Sequence, residues 1–160
     1  MKSLSRTSLA LYVIFLSWLI LFKSSISLSS DILNSQIRSL NLIPFAATAA
    51  SEMIANVVVF IPLGLLLDVN FKQASFLRKL TLVSIFSLAA ELIQFVLAIG
   101  VADVTDAIMN TLGGFVGLML YGFGRKYAEG EKLDRFIFAG IASLVVLFLC
   151  LRFLVFKVRY

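Results

Sequence analysis

The 160-residue chain is 61% hydrophobic and only 14% charged, with a mean hydropathy of +1.02. Soluble domains run at about 45–50% apolar and about 25% charged residues, so this composition points to a chain solvated by lipid. There is no histidine and a single cysteine, Cys150. This excludes an intrachain disulfide, a Cys/His zinc site and any Ser-His or Cys-His catalytic pair.

The net charge of +5 does not imply nucleic acid, because the basic residues lie between apolar runs. There they set topology and meet anionic headgroups, so no nucleic-acid partner is expected.

In chain order the first apolar run is roughly Ser8–Phe22, followed by Lys23 and a serine-rich stretch to Ser30. Preceded by Lys2 and Arg6, it can be read as a cleavable signal peptide, but Lys23 directly after it favours a retained span. Further runs cover about Glu52–Val69, Leu80–Gly100, Val104–Phe123 and Phe136–Phe156. Each is near the ~20 residues that cross a hydrocarbon core. The expected fold is all-α, a polytopic transmembrane bundle of about five spans. Three segments are expected: 1–37 with the first span, 38–122 as a core of three spans, and 123–160 with a loop and the fifth span.

Between the first two runs, Asn41-Leu42-Ile43-Pro44-Phe45 is apolar and contains a proline, which predicts an interfacial or re-entrant piece. Lys2, Arg6, Lys72, Arg78, Lys79, Arg125, Lys126, Lys132 and Arg135 fall on one side of the spans. Lys23, Arg38, Lys157 and Arg159 fall on the other. Nine against four predicts a multi-pass protein of the cell membrane with a cytoplasmic N-terminus and an external C-terminus.

Ionisable groups inside spans cost at least about 2.5 kcal/mol each and need an account. Glu91 and Gln94 share a face of the third run, with Ser84 and Ser87 extending the stripe. Asp103, Asp106 and Asn110 follow i, i+3, i+7 spacing in the fourth, and Gly113 and Gly117 continue that face. Asn56 lies one turn after Glu52 in the second run, and Arg38 and Asn41 precede it. Taking Gly100 as the outer turn, Glu91 sits about 13 Å and Asp106 about 9 Å below it, at 1.5 Å per residue. These groups are expected to converge in the outer leaflet. Interhelical hydrogen bonds average only about 0.6 kcal/mol, too little to offset several carboxylates in lipid. Asp103 can be a helix cap, Pro62 a kink, and the serines backbone-bonded.

These residues resemble the VanZ-like family. The resemblance is carried by Arg38, Asn41 and Pro44, then Asn56, Pro62 and Gly64, then Glu91 and Gln94, then Asp106, Asn110 and Gly113, over about Arg38–Gly122. It implies a membrane protein linked to bacterial glycopeptide resistance, in particular to teicoplanin, whose lipid tail anchors it near the outer leaflet. Many members carry an Arg shortly before the acids of the fourth span, whereas Val96–Ala102 holds no basic residue here.

Three functions compete at this stage. In the first, Arg38, Asn41, Asn56, Glu91, Gln94, Asp103, Asp106 and Asn110 bind a membrane lipid or lipid-linked envelope molecule. The second is an intramembrane hydrolase or transferase acting on a lipid head, with paired carboxylates as acid and base or around Mg²⁺. The third is a small transporter, against which stands the absence of polar groups in the inner halves of the spans. The sequence carries no cofactor signature and no dedicated metal-ligand spacing, assigns no catalytic residue, and leaves the oligomeric state open.

Overall fold

A computed structural model describes residues 2–21, 39–45, 48–99 and 101–158. Arg38, Lys23, the serine cluster, Gly100 and Arg159 lie outside them. The described chain consists of five helices and two short strands: α1 (Lys2–Leu21), β1 (Ser39–Asn41), α2 (Ala50–Asn70), α3 (Phe76–Leu97), β2 (Val101–Asp103), α4 (Val104–Gly124) and α5 (Gly130–Val158). Helices α2, α3, α4 and the Gly130–Arg152 part of α5 are long and apolar enough to cross a membrane. The apolar part of α1, Ser5–Leu21, is shorter. The expected helical bundle is therefore present. The chain forms two compact units, 1–121 and 122–160.

Helix boundaries differ from the hydropathy runs for physical reasons. Helix α3 starts at Phe76, before Arg78 and Lys79, because the Ser75 side chain accepts the Arg78 N–H and caps the end. It stops at Leu97, where Ala98 turns left-handed (φ 52°) and its N–H reaches back to the Gln94 carbonyl. The turn is thus made at Ala98. Helix α2 continues through Pro62. Near the turn that the proline loosens, the Tyr12 hydroxyl of α1 donates to the Val59 carbonyl at 2.7 Å.

In the first unit, Leu16, Phe60, Leu66, Val83, Leu118 and Tyr121 are almost wholly buried. Helices α2 and α4 meet backbone to backbone. A Cβ on Gly64 would collide with the Gly114 carbonyl oxygen, one on Gly113 with that of Val57, and one on Gly117 with that of Ile61. Small residues let helices approach this closely, so Gly113 and Gly117 are consumed by packing within the chain.

At the α2–α3 turn, Lys79 donates to Asp68, and both side chains are largely buried. Lys79, one of the nine positive residues counted on that side, is thus paired within the fold and still counts toward the nine against four. Ser5 donates to the Asn70 side chain at 2.8 Å and ties α1 to the same end.

The strands were not anticipated. Strand β1 pairs in parallel with β2, with Ser39 opposite Val101, Leu40 opposite Ala102 and Asn41 opposite Asp103. They fasten the segment before α2 to the start of α4.

In the second unit, α5 follows a turn in which Phe123 and Tyr127 stack at 4.9 Å. Exposed pairs Lys132–Glu129 and Arg135–Glu131 line its first turns.

Candidate functional site

The polar residues gather at the end of the first unit where α2 and α4 begin and α3 ends. Asp103 is the hub. Its Oδ1 accepts the Thr105 N–H at 2.7 Å, capping α4. Its Oδ2 accepts from the Thr48 hydroxyl at 2.7 Å and from Asn41 Nδ2 at 3.1 Å. The Asp103 N–H in turn donates to Glu91 Oε2 at 2.9 Å. One carboxylate thus joins β1, the Thr48 segment just ahead of α2 and the first turn of α4, while Glu91 of α3 holds its backbone. Partial burial pushes the Asp103 carboxyl up. The hydrogen bonds from Thr48, from the Thr105 amide and hydroxyl, and from Asn41 outweigh it and hold the group below its ordinary value.

Below this clasp, Asn56 Nδ2 of α2 donates to Asp106 Oδ1 of α4 at 2.6 Å. One turn further along α4, Asn110 Nδ2 donates to Ser87 Oγ of α3 at 2.8 Å. Asn110 is 2% exposed, and its Oδ1 is buried with no hydrogen-bond partner among the described residues. Exchanging amide oxygen and nitrogen would only leave the NH₂ donors unpaired instead. A buried unpaired polar atom costs about 1–3 kcal/mol.

The expected residues are therefore divided between tasks. Asn41, Glu91 and Asp103 form the clasp; Asn56 and Asp106 pair beneath it; Asn110 lies deeper. Gln94 turns away, and its Nε2 donates at 3.0 Å to the Ile20 carbonyl of α1. Arg38 lies outside the described residues. Ser84 bonds the Leu80 carbonyl as expected, whereas Ser87 serves Asn110.

Sequence reading missed Thr48 and Thr105. Thr105 had a signal, since Asp-x-Thr is a helix-start pattern; Thr48, fifty-five residues from its partner, had none. The Thr48 hydroxyl beside Asp103 resembles a nucleophile with its base. Yet Asp103 is held below its ordinary value with its oxygens committed to donors, which makes it a poor base. No group of three His, Cys, Asp or Glu side chains among the described residues could hold a metal ion.

A model of the VanZ/LLP1 family matches residues 9–125. The match begins well before Arg38, so α1 belongs to the shared region along with the clasp and the polar pairs. The protein described as "Protein VanZ" from Enterococcus faecium is 54% identical over 148 residues, covering 91% of each chain. No solved structure matches. With a family match over residues 9–125 and likeness across nearly its whole length, this chain belongs to the VanZ/LLP1 family.

Proposed function

We propose that the polar end of the first unit binds the head of an envelope lipid or lipid-tailed molecule in the outer leaflet. Through that binding it would contribute to tolerance of a lipid-tailed glycopeptide such as teicoplanin. The observation that carries this reading is the buried, unpartnered Oδ1 of Asn110, one turn beneath the Asn56–Asp106 pair. A hydroxyl or amine from a bound head would satisfy it, in surroundings where a hydrogen bond is strengthened by low dielectric. The excess of positive residues in the first turns of α1, about the α2–α3 turn and from the end of α4 into the start of α5 supports a cytoplasmic N-terminus and an external C-terminus. This orientation turns the polar end outward.

Native mass spectrometry of the detergent-purified protein tests the proposal. Wild type should retain an envelope lipid that a folded Asp106→Asn/Asn110→Leu variant loses. Equal retention of the same lipids by both proteins would refute a specific site.

A further inference from the structure

Leu42, Ile43, Pro44 and Phe45 form a turn directly after β1, and the large side chains of Leu42, Ile43 and Phe45 are 68%, 69% and 53% exposed. A soluble loop that presented such residues to water would be a liability. The backbone of this turn is arranged for a medium without water. The Ile43 N–H donates to Asn41 Oδ1 at 3.2 Å, Pro44 has no N–H, and the Phe45 N–H donates to Thr105 Oγ1 at 3.0 Å. Three successive residues therefore leave no amide donor unsatisfied, the donor half of what non-helical backbone must meet at membrane depth.

The turn is also held rigidly. Phe45 is left-handed, φ 63°, a conformation unfavourable for a bulky residue and sustained only when its surroundings fix it. Thr105 fixes it from one side, and the Asn41–Asp103 bond fixes the strand before it. Ile54 and Val58 near the same end of α2 are likewise exposed, on a helix long and apolar enough to cross a membrane.

We infer that Leu42–Phe45 is a preformed wedge seated among the acyl chains of the leaflet at the α2 N-terminal end. The occupant of its surface is bilayer hydrocarbon. Asn41 and Asp103 mark its polar base. The inference is independent of which molecule the polar cluster takes.

Depth-dependent quenching tests it. The full chain, carrying Cys150→Ala with either Ile43→Cys or Leu42→Cys, is labelled with the fluorophore NBD. It is reconstituted in vesicles of dioleoyl phosphatidylcholine and dioleoyl phosphatidylglycerol. A Lys126→Cys protein supplies the water-exposed reference. Interfacial segments bury their apolar faces about 5–10 Å deep, so a nitroxide on the fifth acyl carbon should quench about twofold more than a headgroup nitroxide at both turn positions. The reference should show the reverse order. The reverse order at positions 42 and 43 overturns the inference, as does acyl-chain quenching that vanishes when the protein-to-lipid ratio is raised, which would mean that a second copy covers the turn.

Discussion

The two ends of the first unit are closed by different means. At the α2–α3 turn, one ion pair between residues eleven apart, Lys79 and Asp68, joins two helices that follow one another in sequence. At the opposite end, Asp103 gathers Asn41 and Thr48, sixty-two and fifty-five residues away, while Asp106 holds Asn56 across fifty. The first closure follows from a hairpin alone. The second exists only if α2 and α4 are already in register, and the Gly64–Gly117 seam sets that register. The end bearing the polar cluster is thus the end whose geometry depends on the whole bundle.

Breaking the seam should break that distinction and is expected to have the largest effect. Gly117→Leu places a side chain against the Ile61 carbonyl and the Gly64 Cα, so the helices must part. Overpacking costs about 1–3 kcal/mol even where side chains can yield, and here the obstacle is backbone. Size-exclusion chromatography should show no monodisperse protein.

Breaking only the local end sharpens the comparison. Lys79→Met leaves the buried Asp68 uncompensated and should destabilise by about 3–5 kcal/mol. The Asp68→Leu/Lys79→Met double variant should melt near wild type in the same detergent, with the lipid retention of the distant end unchanged. If the double variant is no better than the single one, the pair has a role beyond neutralising charge.

The smallest effect is a pH dependence confined to the far end. Because the folded value for Asp103 lies below its ordinary 3.8, its contribution is fully present above that value and fades as pH falls through the folded one. Pepsin cleavage at Phe45 in detergent should therefore rise only below about pH 4. In Asp103→Asn, which has no proton to gain, cleavage should already be high at the upper limit of pepsin activity and show no such step.

Much of this was legible in advance, because span length and hydropathy are properties of contiguous sequence. The acids and amides announced themselves by their cost in lipid. Their partners did not. Gln94 shares a face with Glu91, yet it serves α1, because the Ile20 carbonyl lies within reach only once the helices pack. Nothing within Ser39–Asn41 or Val101–Asp103 marks a strand: each has three residues, and the pairing is parallel and remote. Lys79 looked like a loop charge because its partner lies across a turn and becomes a neighbour only when the hairpin folds.

The remoteness of β1 from β2 has a consequence for biogenesis. Asn41 leaves the ribosome sixty-two residues before Asp103. At roughly 5–20 residues per second, the segment ahead of α2 waits about 3–12 s for its counterpart. During that interval α2 and α3 are still being made, and β1 has no mate. The clasp is therefore closed to the chain until residue 105 has been made, and a chain interrupted before it would occupy the bilayer with that end open.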